Sequence, residues 1–438
     1  MTDTVEKTTI RKAFIRLMPL LLLCYFLAYI DRINIGFASL TMNKDVGLSA
    51  YIYGLGAGLF FWGYFFFEVP SNLIMEKVGA RRWISRIMVT WGIVSIGMIF
   101  VSGPTSFLVM RFLLGAAEAG FFPGVILYLT YWFPAAYRAR IIAAFMVAIP
   151  ASLGIGAPLS TGIMEMDGLA GLHGWQWLFL IEGLSTVILG AVVFFVLPDR
   201  PRDAKWLTSE QKDWLQGTID RENRIAQTTH GLSVWRIFLD PRVLGLAFIY
   251  FANTTANLGL AFFLPQIIKS IGLSNVETGF VTSIPYVMGT IGILVWGYVS
   301  DRTNERRISL FLALAVTAVG LAGAGYFGKT MPAVVLMSVA AIGIYGTKAP
   351  FWPLPSTFLT GSAAAGGIAL INSIGNLGGF AGPSIMGWVK DSTGSFDHGL
   401  YVLAAIALLA AVSSLLIVKP PAKATVPSGS AEPLRPTV

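Results

Sequence analysis

Apolar residues fill this chain in a dozen long blocks separated by short polar breaks. Crossing a hydrocarbon core about 30 Å thick takes about 20 residues of apolar helix, a length every block can supply. The pattern predicts membrane-spanning helices at 17–38, 51–75, 84–102, 105–132, 140–164, 175–197, 242–268, 277–300, 308–327, 332–358, 364–389 and 400–418. The one long polar stretch, 198–241, divides them into two sets of six. The expected fold class is therefore an all-α polytopic membrane protein of 12 transmembrane helices. Its expected parts are an N-terminal six-helix bundle at 1–197, a cytoplasmic linker at 198–241, a C-terminal six-helix bundle at 242–418 and a tail at 419–438. The tail, rich in Pro, Ala and Ser, is expected to be disordered. Within the linker, Thr208 precedes Gln211 at capping-box spacing and opens a segment containing Trp214 and Leu215, which predicts an amphipathic helix on the cytoplasmic membrane surface. The first apolar block is too long for a signal-peptide core, carries Asp31 and Arg32 near its end and is followed by no small-residue cleavage site, so it reads as a retained first helix.

Composition removes the soluble alternatives. Hydrophobic residues make up 55% of the chain and charged residues 12%, against about 25% charged in an ordinary soluble domain. A net charge of +8 would suggest nucleic acid if the basic residues clustered on a soluble face. Instead, with a cytoplasmic N-terminus, 24 of the 31 Lys and Arg fall in cytoplasmic segments or, like Arg86, Arg140 and Arg242, at the cytoplasmic ends of spans, and four (Lys44, Lys269, Lys329, Lys390) fall on the outer side. The remaining three, Arg32, Arg111 and Lys348, lie within spans clear of their ends. This asymmetry is the positive-inside rule, and it predicts both termini in the cytoplasm and no nucleic-acid partner. Cys24 is the only cysteine, and the three histidines fall in separate predicted loops. No disulfide, metal site or cofactor is expected, nor does the sequence show a phosphate loop or nucleophile elbow, so no enzymatic activity is expected.

The two sets of six are related. The segment from Asn72 through Glu76 and Lys77 to Arg81 and Arg82 matches the segment from Gly297 through Asp301 and Arg302 to Arg306 and Arg307, at an offset of 225 residues. The same offset carries Gly154, Pro158 and Gly162 onto Gly379, Pro383 and Gly387. One number aligning two motifs indicates a duplication, as many transporters show.

An acidic residue, a basic residue and a closing Arg pair in both loops resemble the signature loop of the major facilitator superfamily, and Arg111-Phe-Leu-Leu-Gly115 followed by Gly120 resembles its fourth-helix motif. Tyr29-Ile-Asp31-Arg32-Ile-Asn34-Ile-Gly36, together with Arg111 and Glu118, is similar to the anion:cation symporter family within it. The stretch from Leu197 to Leu207 and the segment Pro350-Phe351-Trp352-Pro353 look most like its bacterial tartrate, phthalate and aromatic-acid permeases. The resemblance implies two pseudo-symmetric bundles, a location in the inner (plasma) membrane, and a cytoplasmic gate of Glu76, Lys77, Arg81, Asp301, Arg302 and Arg306 that closes when the outer side is open. The first loop departs from the pattern, with Glu76 where Asp is usual and Asn72 where Gly is usual.

Charges inside spans single out the candidate site, because each costs at least about 2.5–3.5 kcal/mol to insert unless it has a partner or a polar cavity. Asp31, Arg32, Arg111, Glu118, Glu182 and Lys348 qualify. Arg111 and Glu118 stand seven residues apart, about 10.5 Å along one helix face, with Arg111 nearer the outer surface. Fixed bridges pairing Asp31 with one Arg and Glu118 with another are one reading. The surplus of cation over Asp31 and Glu118 favours a cavity for an anion, which a guanidinium can hold in a bidentate fork. Glu68 and Glu182 read as structural. The offset maps Asp31, Arg32, Arg111 and Glu118 onto Ala256, Asn257, Leu336 and Gly343, so this charged set belongs to the first half alone. In the second half, Asn372 and Asn376 share a helix face, as do Asn253 and Asn257, and either pair could serve packing or substrate, with Asn372 favoured for substrate because its position resembles a family substrate contact. Tyr29, Phe351 and Trp352 could wall an aromatic substrate, or simply pack.

The resulting expectation is a monomeric, proton-driven symporter that takes up a small organic carboxylate across the lipid bilayer by alternating access. Candidates are an aromatic acid of the hydroxybenzoate, phthalate or nicotinate type, or tartrate or a sugar acid. Asp31 and Glu118 would carry protons. Tyr29, Arg32, Arg111, Lys348, Phe351, Trp352, Asn372 and Asn376 would hold substrate. The alternatives are a drug/proton antiporter of the same fold, which usually has Gly-Pro where this chain has Ala157-Pro158, a non-transporting substrate sensor, and a structural membrane protein.

Overall fold

A computed structural model describes residues 2–227, 239–303, 305–355, 359 and 361–417; the tail from 419 and part of the linker lie outside them. Eleven of its helices are long and apolar enough to cross a membrane. A twelfth crossing is made by Gly361–Asn376 and Gly378–Thr393, which meet at Leu377 with helical backbone angles. Three other spans are also built from two pieces: Pro104–Glu118 with Phe121–Thr130, Ala135–Met146 with Ala148–Met164, and Met331–Gly346 with Lys348–Phe351. The break in the fourth span falls one residue beyond Glu118. Gly120 there has φ +87°, and a Cβ on it would lie 2.3 Å from the Ser71 hydroxyl, so both backbone and space demand glycine. The unbroken spans are Thr2–Val46, Ala50–Val78, Ala80–Gly97, Gly174–Val196, Pro241–Lys269, Asn275–Thr303, Arg306–Phe327 and Phe396–Ile417.

The duplication is visible in helix ends and in packing. The second span, Ala50–Val78, and the eighth, Asn275–Thr303, are related at both ends by the offset of 225 residues seen between the loop motifs. A Cβ on Gly54 would lie 2.2 Å from the Pro383 carbonyl of the eleventh span, and one on Gly279, the repeat mate of Gly54, 2.0 Å from Thr161 of the fifth. The halves thus touch backbone to backbone through two symmetry-related span pairs, second with eleventh and fifth with eighth. The first and seventh spans meet as well, where Gly36 faces the Phe262 carbonyl and Pro265, and Tyr53 of the second span donates to that same carbonyl at 2.8 Å. All these contacts lie towards the end of the bundle opposite the one carrying the basic loops. That far end is closed.

One contact latches it. Asp391 of the eleventh span accepts from the backbone N–H of Ala50 (3.1 Å) and Tyr51 (2.8 Å), while Ser49 accepts from Ile52. The second helix is therefore capped partly by its own half and partly by the other, a favourable place for a carboxylate. Asp391→Ala should cost about 0.5–2 kcal/mol of a bond that exists only when the far end is shut, shifting the population towards the open form by about 2- to 30-fold. Spin-label distances between positions 44 and 329 in a Cys24→Ala background would register a longer component; an unchanged distribution would mean that the latch contributes nothing.

The first helix begins well before the expected residue 17, at Thr2, and one face of its added turns is buried. Ile10, Ala13 and Leu17 are buried, and Lys12 donates to Gln211 of the linker helix Ser209–Gln227 at 3.1 Å. The linker helix has the expected reciprocal cap, Thr208 N–H to Gln211 and Gln211 N–H to Thr208 Oγ1. Its apolar residues Leu215 and Ile219 are covered by the protein, and Glu222 accepts from the Ala135 N–H and pairs with Arg138.

Candidate functional site

The second and fourth spans approach so closely that a Cβ on Gly115 would lie 1.9 Å from the Phe60 carbonyl, and one on Gly63 would lie 2.3 Å from that of Phe112. This contact sets the aromatic face of the second span, Phe60 and Tyr64, beside the charged face of the fourth. Arg32 of the first span forms an ion pair with Glu118. Its guanidinium also lies over Tyr29 and Phe60, each at 5.3 Å, and over Tyr64 at 5.6 Å. Glu118 is 2% exposed and Arg32 19%, so the pair opens on the Arg32 side.

Arg111 lies over the same Phe60 ring at 5.3 Å, so the two guanidinium carbons are separated by no more than twice that distance. Arg111 is fully buried. Its Nε donates to the Gly56 carbonyl at 3.3 Å, and both terminal nitrogens lack any hydrogen-bond partner. No carboxylate pairs with it among the described residues. A buried guanidinium is normally neutralised, because an isolated buried charge costs several kcal/mol.

Asp31, next to Arg32 in sequence, points elsewhere, as neighbours about 100° apart on a helix must. Its Oδ2 accepts from Trp91 Nε1 (2.7 Å) and Thr186 Oγ1 (2.8 Å), behind the first helix between the third and sixth spans. Of the two fixed bridges weighed from the sequence, the structure forms that of Glu118 and not that of Asp31. Glu182 also sits behind the first helix, accepting from Asn34 Nδ2 (2.8 Å) and Ser160 Oγ (2.9 Å).

The second half presents its own aromatic cluster around Tyr250, with Lys348 and Tyr345 beside each other. Lys348 lies 4.7 Å from the Tyr345 ring and has no carboxylate partner among the described residues. Phe351 is 1% exposed, stacked on Tyr250 at 5.5 Å and edge-on to Trp352 at 5.3 Å, while Tyr250 and Trp352 are 5.1 Å apart. Tyr250 packs directly on Gly375, between Asn372 and Asn376. Both asparagines are half-buried and make no hydrogen bond among the described residues. Phe351, Trp352, Asn372 and Asn376 are thus gathered around Tyr250, which sequence reasoning passed over, and Lys348 lies beside Tyr345. Asn253, also weighed for the site, accepts from Thr347 Oγ1 at 3.3 Å.

The loop motifs are apart in this conformation, each holding to its own half. Arg81 donates its backbone N–H to Asp199 at 2.8 Å and has its side-chain Nε 3.8 Å from the same carboxylate. Arg302 donates to Tyr298 (2.9 Å) and Arg307 to the Leu415 carbonyl. Glu76, Lys77, Asp301 and Arg306 form no ion pair among the described residues. Asp199, in the stretch that follows the sixth span, gave no sequence signal for this role. The signal for Phe60 and Tyr64 was present: two aromatics four apart, facing spans that carry buried cations.

The chain is similar to known proteins. The description "Major Facilitator Superfamily" matches residues 21–265 and 246–438. A "Putative tartrate transporter" of Agrobacterium vitis is 50% identical over 97% of this chain and 94% of its own length. A "Quinolone resistance transporter" of Acinetobacter baumannii is 43% identical over 94% and 95%, and the "Inner membrane transport protein RhmT" of Escherichia coli K12 is 39% identical over 95% and 96%. Among solved structures, a bacterial homologue of the human lysosomal transporter Spinster, inward-facing, superposes with a TM-score of 0.74 at 16% identity, covering 94% of this chain and 99% of that one, which shows the shared fold. The chain is a multi-pass membrane protein, not an enzyme, and belongs to the major facilitator superfamily, in its anion:cation-symporter-like branch.

Proposed function

We propose that this protein is a proton-coupled symporter that takes up a small organic carboxylate across the inner membrane by alternating access. The observation that carries the reading is Arg111: a fully buried guanidinium with two unpartnered nitrogens beside an aromatic floor. A carboxylate placed there would accept two parallel N–H bonds and cancel the charge. Phe60 and Tyr29 would face a flat substrate, and the Tyr250 cluster with Lys348, Asn372 and Asn376 would close on it from the second half. The tartrate-transporter relative supports the substrate class.

Arg32 and Glu118 form the coupling device in this reading. With the far end shut and the basic end cytoplasmic, the Arg32–Glu118 pair has deprotonated Glu118 and the substrate has left. Protonating Glu118 from outside frees Arg32 for an incoming anion. Asp31 carries the second proton behind the first helix, and the paired loops of Glu76, Lys77, Arg81, Asp301, Arg302 and Arg306 come together when the far end opens. The test is radiolabel uptake by reconstituted protein over tartrate, sugar acids, phthalate, hydroxybenzoates and nicotinate. Saturable uptake of at least one is expected; none, with the protein folded, would refute the substrate class.

The quinolone-resistance relative supports a second reading, efflux. Quinolone antibiotics carry an aromatic carboxylate, so the same guanidinium could hold them, and the direction of net flux separates the two.

A further inference from the structure

Arg32 neutralises Glu118, but two more buried carboxylates have no cation. Asp31 is 2% exposed and Glu182 4%, and among the described residues no Lys, Arg or His lies within ion-pair distance of either. Thr186, which donates to Asp31, stands one helical turn from Glu182 on the same face. Three helices build the surroundings in matched turns. Asp31, Trp91 and Thr186 meet at one level. One turn along the same faces come Asn34, Ser95 and Glu182, joined by Ser160 of the fifth span.

The hydrogen count in this pocket does not close. Trp91 and Thr186 both donate to Asp31 Oδ2, which leaves Asp31 Oδ1 bare; Asn34 Oδ1 and Ser95 Oγ are bare as well. Asn34 and Ser95 are fully buried. Two acceptors without a donor, beside two carboxylates without a cation, lack positive hydrogens.

Nothing else nearby supplies them. The first helix turns Arg32 away to Glu118, and Tyr25 and Tyr29 lie on that helix towards the basic end. The third span carries Arg81, Arg82 and Arg86 only in its first two turns at the basic end. The fourth contributes Glu118, already paired with Arg32, with Arg111 on the cavity side. Segments 148–164 and 174–196 hold no ionisable group except Glu182. Tyr64 and Glu68 of the second span lie on the Arg32 side, and the seventh has its charges, Arg242 and Lys269, at its ends.

We propose that Asp31 and Glu182 form one proton-binding site, separated from the substrate cavity by the first helix, in which the two carboxyl groups hold at least one proton between them. A proton on Asp31 Oδ1, the oxygen left bare, would supply a hydrogen to a pocket whose acceptors lack one. Glu182 thereby becomes part of the proton machinery instead of a packing residue. The role in the transport cycle rests on the symport reading above; the occupancy of the site does not.

Infrared difference spectroscopy on purified, substrate-free protein tests the site directly through the C=O stretch of protonated carboxyl groups. At neutral pH the parent should show this band, Glu118→Gln should keep it, Glu182→Gln should shift it, and Asp31→Asn with Glu182→Gln should lose it. Ser160→Ala, which keeps both carboxyl groups and removes one donor, should shift the band and covers the case in which the double variant does not fold. A parent without the band, a band unmoved by Ser160→Ala, or a band surviving the double substitution would overturn the assignment. So would its disappearance when Na⁺ replaces choline at fixed pH, since the pocket would then hold the metal ion. A retained band alongside uptake that ignores pH would instead sink the symport reading while leaving the site intact.

Discussion

Arg111→Lys should bind substrate about 10- to 150-fold more weakly than the parent, although the charge is retained and the protein still inserts. Lysine offers a point charge where the planar fork offers two parallel donors, and losing one charge-assisted bond costs about 1.5–3 kcal/mol. The structure separates this residue from Arg32. Arg111 has no protein partner for its terminal nitrogens, whereas Arg32 already holds Glu118, so Arg32→Lys should impair transport chiefly through coupling. Equilibrium binding of labelled substrate to detergent-purified variants distinguishes the two. Parent-like affinity in Arg111→Lys would mean that its nitrogens are satisfied some other way and that the anion binds elsewhere.

Glu118→Gln should abolish accumulation against a gradient while keeping substrate binding and counterflow exchange, which needs no net proton movement. Glutamine imitates a protonated carboxyl group in size and hydrogen bonding, so it fixes the site in its proton-loaded form. If Glu118 served only to pair a buried Arg, neutralising it would strand that cation at a cost of about 3–5 kcal/mol, and poor expression would appear first. Arg32 keeps partial exposure and three aromatic faces, which lowers this penalty and makes a folded variant the expected outcome. A folded Glu118→Gln protein that still concentrates substrate would remove Glu118 from the coupling mechanism.

Hydropathy located all twelve crossings because long apolar blocks have no other use in a chain this poor in charge. It did not locate their breaks. A hinge such as that at Ala119–Gly120 replaces no apolar residue, and a single glycine is no signal in a chain that has 47. The early turns of the first helix were missed for a related reason: their apolar stripe is narrow and is covered by the linker helix, not by lipid. At the site, Arg32, Arg111 and Glu118 stood out because intramembrane charges are costly enough to be conspicuous. Which of Asp31 and Arg32 faces the cavity depends on helix rotation, a property of packing that no local pattern encodes. Trp91 and Thr186 became visible as partners of Asp31 only once three helices were in place, as did the role of Asp199 at Arg81.

Coupling to protons is the central claim, and uptake into proteoliposomes under imposed gradients tests it most directly. With an acidic exterior and no Na⁺ gradient, the initial rate and the peak accumulation of the transported carboxylate should rise well above those at symmetrical pH, and an inward Na⁺ gradient at fixed pH should add nothing. Uptake that follows Na⁺ and is indifferent to the pH gradient would contradict the account.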